Sequence, residues 1–163
     1  MKLKLLKFKC VKSTNDIAHK LIKKKNVRPT IILSEQQTQG RGTMGKTWIS
    51  KKGNLFLTIF FDMSKKKVNF KKFAVLNAFL LKSIFMKKFS NKIKIKWPND
   101  LLFEGKKICG ILQEIVSNAG NKFLIVGIGI NTNIEPKNRR FSSTSLKHIT
   151  KKNIDNKKLF IMI

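Results

Sequence analysis

Apolar residues change their spacing repeatedly along this chain, and each change marks the edge of an element. Residues 4–11 alternate in the manner of a half-buried strand, with lysines set between leucine and phenylalanine. Ser13, Thr14, Asn15 and Asp16 then offer several N-caps for a helix running to about Lys25, on which Ile17, Leu21 and Ile22 recur at helical spacing. Pro29 interrupts the chain, and residues 30–35 read as a buried strand. Residues 36–53 are polar, contain four glycines and obey neither period. Alternation returns over residues 54–62 through Leu55, Leu57, Ile59 and Phe61.

Residues 65–67, all lysine, predict a basic turn. Residues 68–88 are apolar over most of a helical circumference and predict a helix covered on several sides. A short strand over 93–97 ends at Pro98. Residues 106–116 and 123–131 predict two more strands joined by a turn around Asn118, Ala119, Gly120 and Asn121. Beyond Asn131 the pattern is loop-like, with a weak helix starting near Ile154. Strands outnumber helices and succeed one another as hairpins, which predicts an α+β fold with helices packed on a mixed β-sheet.

The 163 residues fit a single domain on a prior of roughly 150 residues, enough to bury a core without staples. No run reaches the roughly 18 apolar residues that a membrane span needs. Nor does the N-terminus, where lysines break every apolar run, look like a signal peptide, so a cytoplasmic protein with no membrane partner is expected. Cys10 and Cys109 lie far apart without zinc spacing and are expected to be small buried apolar residues. His19 and His148 are equally isolated, so no metal cluster is predicted. The net charge of +28 would attract polyanions without base specificity. Only Arg28, Arg41, Arg139 and Arg140 are arginines, and the lysines are spread along the whole chain. A nucleic-acid reader would cluster its arginines, so specific nucleic-acid binding is not expected and non-specific electrostatic binding is.

Chemistry concentrates in Gly40-Arg41-Gly42-Thr43-Met44-Gly45. Glycines at this density let backbone N–H groups approach an anion, and Arg41 adds a planar fork of donors suited to carboxylate or phosphate. With Lys46 and Thr47 the segment matches the letters of a P-loop. A P-loop lysine opens a helix, however, and residues 48–53 and the alternating strand after them show no helical period.

Read with its flanks, Gln37 to Trp48 together with Gly53-Asn54-Leu55 resembles the biotin-binding loop of biotin–protein ligases, members of the biotin/lipoate protein ligase family. Three further blocks carry the same resemblance in the same order. They are Ser13-Thr14-Asn15, then Lys96-Trp97-Pro98-Asn99-Asp100 with Gly105-Lys106-Lys107-Ile108-Cys109-Gly110 and Glu114, then Gly127-Ile128-Gly129-Ile130-Asn131. The resemblance covers about residues 10–146, and it implies the class II synthetase-like architecture of that family's catalytic domain. It also implies ATP-dependent conversion of biotin to biotinyl-5′-AMP and transfer to a lysine of a biotin carboxyl carrier protein.

The site it implies is specific. Arg41 and the amides of Gly40 and Gly42 would meet biotin and the α-phosphate, with Thr43 beside them, and Lys107 would lie between carboxylate and phosphate. Ser13, Thr14, Asn15 and Gln37 would line the pocket of the ureido ring, whose polar groups need partners once buried. Trp48 would stand near the adenine, Asn99 and Asp100 near ATP and the incoming lysine, Gly110 beside them, and Asn131 against the nucleotide. Lys107, Arg41 and Asp100 are the candidate catalytic residues. No side chain is assigned to a metal; Mg²⁺ would accompany ATP through phosphate oxygens and water. From the residues alone, Ser13 is equally a helix N-cap, Trp48 a core tryptophan and Lys107 a solvated turn lysine beside Lys106. The alternatives are a lipoate–protein ligase with the same acyl-adenylate chemistry, or a non-catalytic biotin-binding relative.

The sequence departs from the family in two places. Thr43 and Met44 stand where many members are basic, which lowers the positive charge facing the adenylate, with Lys46 as a partial substitute. With the sequence ending at Ile163, neither the family's C-terminal β-barrel-like domain nor an N-terminal helix-turn-helix is expected. One catalytic domain over residues 1–163, truncated at its C-terminus, is therefore expected, with Phe160 to Ile163 as an apolar edge lacking a partner. The first departure has a measurable consequence: Thr43→Arg is expected to slow dissociation of biotinyl-5′-AMP. An unchanged off-rate would dismiss the role given to position 43.

Overall fold

The structure is a computed structural model that describes residues 3–24, 28–64, 70–137 and 141–163. In chain order its elements are β1 (Lys4–Phe8), α1 (Thr14–Lys23), β2 (Thr30–Ser34), a 3₁₀ turn (Thr43–Gly45), β3 (Leu55–Asp62) and α2 (Phe70–Lys88). The second half holds β4 (Ile93–Lys96), β5 (Asp100–Phe103), β6 (Lys106–Asn118), β7 (Asn121–Ile130), α3 (Leu146–Thr150) and α4 (Asn156–Met162). The strands form one seven-stranded sheet in the order β1-β2-β3-β7-β6-β5-β4. Among these strands only β1 and β2 run parallel, joined by α1 as a crossover; every other neighbouring pair is antiparallel.

Alternation on the central strands builds two separate cores. Leu55 and Leu57 of β3, with Leu124, Val126, Ile128 and Ile130 of β7, face α2, which presents Ala78, Leu81 and Phe85 at helical spacing. Phe60, Phe123 and Ile125 turn to the other face and pack on Ala18 and Ile22 of α1 together with Ile32 of β2. The α1 face is different at its other end. There β7 carries Gly127 and Gly129 and β6 carries Gly110, so the sheet leaves a gap between Thr58, Leu112 and Glu114 where the first turn of α1 arrives.

Several boundaries move from their predicted places. The first strand stops at Phe8, and Val11 only bridges to Gln37. Residues 100–103, for which the pattern predicts no strand, are β5, which forms hairpins with both neighbours; the one to β6 turns on Glu104 and Gly105 at positive φ. Residues 146–150 form α3, capped by the Ser145 hydroxyl, and α4 is capped by Asp155. The long helix is open on one side, with Val75, Leu76, Phe79 and Leu80 all exposed. At the C-terminus Leu159 is buried and Phe160 packs on the α2-side core, so only the last three residues form an exposed apolar edge. Cys10 is exposed, against expectation, because β1 ends before it. Cys109 is buried as expected, and burial pushes its thiol pKa well above the ordinary range. The first helix ends at Lys23, two residues before its predicted end, and the predicted turn at 65–67 falls outside the described residues.

Phe85 is fully buried between α2 and the sheet. Phe85→Ala is expected to lower unfolding free energy by about 3–5 kcal/mol, read as a drop in the urea midpoint at unchanged m-value.

Candidate active site

Ser13 ends the extended chain after β1 and caps α1, its Oγ accepting the Asp16 N–H at 3.4 Å. That cap presents Thr14 and Asn15 to the glycine strip. A methyl group on Gly127 would sit 2.9 Å from Asn15 Cγ and closer still to its amide oxygen, so only glycine lets α1 come this near. Asn15 reaches across the strand, donating Nδ2 to Glu114 at 2.7 Å and accepting the Thr58 hydroxyl at 2.6 Å. Gln37, at the start of the glycine-rich segment, accepts both the Thr14 N–H (2.8 Å) and its hydroxyl (3.0 Å) on Oε1 and donates Nε2 to Ser50. These bonds fix one polar wall made of Ser13, Thr14, Asn15 and Gln37.

The segment itself folds back as a small hairpin, with a bridge between Arg41 and Thr47 and a 3₁₀ turn at its tip. Lys46 is extended, so no helix opens there and the P-loop alternative is removed. Gly40 is buried against the Trp48 carbonyl and Ser50, where a side chain would collide. The returning arm lays the Trp48 indole flat over Gly110 and Gly129, which face each other across β6 and β7. A methyl group on Gly110 would lie 2.7 Å from Trp48 Cζ3, and one on Gly129 2.9 Å from Cζ2. The indole N–H is buried and has no partner among the described residues.

Lys107 reaches the same face through a bulge. Leu101 pairs with Cys109 but Leu102 with Lys107, so Ile108 is an extra residue on β6. In a regular strand Lys107 and Gly110 would point to opposite faces; the bulge brings them to one. Lys107 Nζ lies 2.7 Å from Asp100 Oδ2, 5.1 Å from the centre of the Trp48 ring and 5.2 Å from that of Phe141. Its backbone is strapped by residues 142–144: its N–H donates to Ser142 O, and its carbonyl accepts Thr144 N–H. Lys107 is only 17% exposed. Its neighbour Lys106 is exposed.

Two cavities meet at this lysine. The first lies between the Ser13–Gln37 wall, Trp48, Gly127 and Gly129, with Leu112 as apolar lining. The second, about 1400 Å³, is bordered by Lys46, Lys96 and Lys137 with Thr47 and Phe141. Thr43, Asp100 and Lys107 belong to both. Arg41 borders the first, its guanidinium held by Asp16 and Glu114.

Of the predicted residues, the cavity walls include Ser13, Thr14, Asn15, Gln37, Arg41, Gly42, Thr43, Trp48, Asn99, Asp100, Lys107 and Gly110. Gly40 and Asn131 stand behind the walls. Asn131 is buried, donates Nδ2 to the Lys107 carbonyl at 3.2 Å and bonds to Ile108 through its own N–H, so it holds Lys107 from the rear. Asn99 is tied to Ile111 by its side chain (2.7 Å) and by its carbonyl (2.9 Å), and Trp97, whose peptide bond to Pro98 is cis, is exposed. Trp48 is neither a core residue nor free: it is half-buried on the cleft floor. Sequence reasoning assigned no role to Glu114, Phe141 or Thr58. Glu114 already falls within a block that carries the resemblance, whereas Phe141 could have been suspected only by knowing which loop faces the glycines.

A glycine-floored cleft whose two compartments share one ammonium suits the joining of two anionic ligands, and similarity to known proteins agrees with that class. The chain belongs to the biotin/lipoate A/B protein ligase family, whose model matches residues 7–133. Its relatives within that family include biotin ligases. The chain is 34% identical to the bifunctional ligase/repressor BirA of Bacillus subtilis over 128 residues, which is 76% of this chain and 39% of that protein. It superposes with a TM-score of 0.81 at 30% identity on a biotin protein ligase from Aquifex aeolicus in complex with biotin and ATP, covering 98% of this chain and 66% of that one. A Leishmania major biotin protein ligase in complex with biotinyl-5-AMP gives 0.79 at 25% identity, over 98% and 71%. The chain thus spans about two-fifths of the B. subtilis relative's length.

The seat of Trp48 is testable. In a Trp97→Phe background, Gly129→Ala is expected to push the indole off the sheet and shift its fluorescence emission to the red. An emission maximum equal to that of the parent would contradict the packing.

Proposed function

We propose that the chain activates biotin with ATP to give biotinyl-5′-AMP and transfers the biotinyl group to a lysine of a biotin carboxyl carrier protein. The observation that carries this reading is the position of Lys107, at the boundary between a small cavity of mixed polar and apolar lining and a wide lysine-bordered one. The smaller cavity, polar on one wall and apolar on another, suits a compact ligand with a polar ring and an apolar chain. Its polar wall offers partners for a ureido group, and Trp48 and Leu112 offer the apolar contact. The wide cavity, with Lys46, Lys96 and Lys137 exposed at its border, suits a triphosphate. Family membership, and relatives whose structures hold biotin with ATP or biotinyl-5-AMP, support the same assignment.

The chemistry is governed by charge. A biotin carboxylate oxygen attacks the α-phosphorus, the bond from that phosphorus to the β-bridging oxygen breaks, and pyrophosphate leaves. Two anions must meet, and charge builds on the phosphoryl oxygens, so preorganised cations at the meeting point lower the barrier. Lys107 is fixed there by Asp100, by two aromatic rings and by main-chain bonds on both sides. Arg41 contributes from the loop side. In the second step the acceptor amine attacks the acyl carbon, the bond to the phosphate oxygen breaks, AMP leaves and the amine loses a proton. Mg²⁺ would arrive with ATP, held by phosphate oxygens and water, with Asp100 the carboxylate common to both cavities.

The test separates two adjacent lysines. With ATP, labelled biotin and a carrier domain, Lys107→Ala is expected to cut the rate of biotinyl-5′-AMP formation by about a hundredfold or more. Lys106→Ala, at an exposed position, should stay within about twofold. Equal loss in both would remove the assignment, and labelled lipoate in place of biotin distinguishes the sister chemistry.

A further inference from the structure

We infer that Glu114, seconded by Asp16, is a positioning residue for Arg41, clamping its guanidinium from two elements so that one edge of the fork faces the cleft. The inference rests on reading that cleft as the place where an anion is activated.

Glu114 Oε2 accepts Arg41 Nη2 at 2.8 Å and Asn15 Nδ2 at 2.7 Å, and it lies 3.3 Å from His19 Nε2. Asp16 Oδ1 lies 3.1 Å from Arg41 Nε. One carboxylate comes from the middle of β6 and the other from the first turn of α1, while Arg41 belongs to the glycine-rich hairpin. A guanidinium has five N–H donors in a rigid plane. Two are engaged here, and no described residue engages Nη1, while Arg41 itself borders the smaller cavity. Two bonds to separate elements fix the plane of the fork as well as its place, which a single ion pair would not do.

Electrostatics rules out a simpler role. Two carboxylates beside one arginine subtract from its attraction for an anionic ligand, so Glu114 does not serve to strengthen the pull. What it adds is direction. The same oxygen also carries Asn15, so the loop wall and the α1 wall of the cavity are referred to one point on the sheet. Arg41 is 39% exposed and Glu114 21%, so the clamp works at the rim, where an untethered arginine would sample many rotamers.

Glu114→Gln is the informative variant, because its amide oxygen still serves Asn15 Nδ2 while the charge that holds Arg41 is gone. The Gly42 and Trp48 amides, which bond to Lys46 O and Gly40 O within the hairpin, report on the loop by hydrogen exchange without any ligand. Their exchange is expected to rise about tenfold in Glu114→Gln and in Arg41→Ala, and no further in the double variant. Asp16→Asn should give a smaller rise of the same sign. Loop exchange in Glu114→Gln equal to wild type, or a double variant equal to the product of the singles, overturns the clamp. In pyrophosphate release from biotin and ATP, Glu114→Gln should lower kcat about tenfold without raising KM for ATP, since a negative charge has been removed. A raised KM with unchanged kcat overturns the orienting role. Should the wild-type protein release no pyrophosphate, the ligase reading fails, and the exchange measurement still decides the clamp.

Discussion

The cleft exists because three side chains are missing from the middle of the sheet. Gly110, Gly127 and Gly129 form a bare strip across β6 and β7, and Asn15, Trp48 and Lys107 are seated on it. Asn15 lies over Gly127, and the Trp48 indole lies over the facing pair Gly110 and Gly129. Put a methyl group on any of them and either α1 or the glycine-rich hairpin must lift. Glycine in a strand costs stability through backbone entropy and lost packing, and here that cost falls on the two most extensively paired strands. The return is that helix, loop and sheet converge closely enough for Thr14, Gln37 and Ser50 to be locked by one another rather than by solvent.

Because the strip is bare, charge can be placed on it. Asp100 pairs in register with Gly110, so its carboxylate stands beside the gap, and Lys107 closes over it. In a chain with a net charge of +28, lysine identity says almost nothing about role. Confinement does. Lys107 lies under two rings, beside a carboxylate and between strapped main-chain groups, whereas Lys46, Lys96 and Lys137 only border the wider cavity and are exposed. An ammonium on a flexible stem is a mobile charge; restraining it turns general basicity into a directed field.

How much of this could be read from the sequence depended on whether the determining force was local. Alternation located β3, and the apolar runs over 106–116 and 123–131 between turn residues located most of β6 and β7. Capping residues located α1 to within a turn. Sequence could not show β5, four residues long and flanked by polar groups, because its strand character comes from pairing with β4 and β6. It could not show α3 either, a single turn that depends on the Ser145 cap and on Leu146 being buried. The open side of α2 was misjudged for a related reason: an all-apolar helix carries no sign of which face meets the sheet.

The site was legible as a set of residues and illegible as a geometry, and the bulge at Ile108 explains why. Counting along β6 by twos from the Cys109 that faces the core sends Lys107 into that core, away from Gly110 and the glycine-rich loop. A motif comparison can name Lys107, but it says nothing of how an alternating strand delivers it to the opposite face. The extra residue reverses the parity once, so Ile108 and Cys109 both go inward and Lys107 emerges beside Asp100. Asn131 then makes the irregularity stable: its side-chain amide takes the Lys107 carbonyl and its own N–H takes that of Ile108, the two acceptors that the displaced ladder offers. An asparagine expected at the nucleotide thus serves the lysine from behind, and the glycine-containing strand that it ends holds both the floor of the cleft and the bulge that arms it.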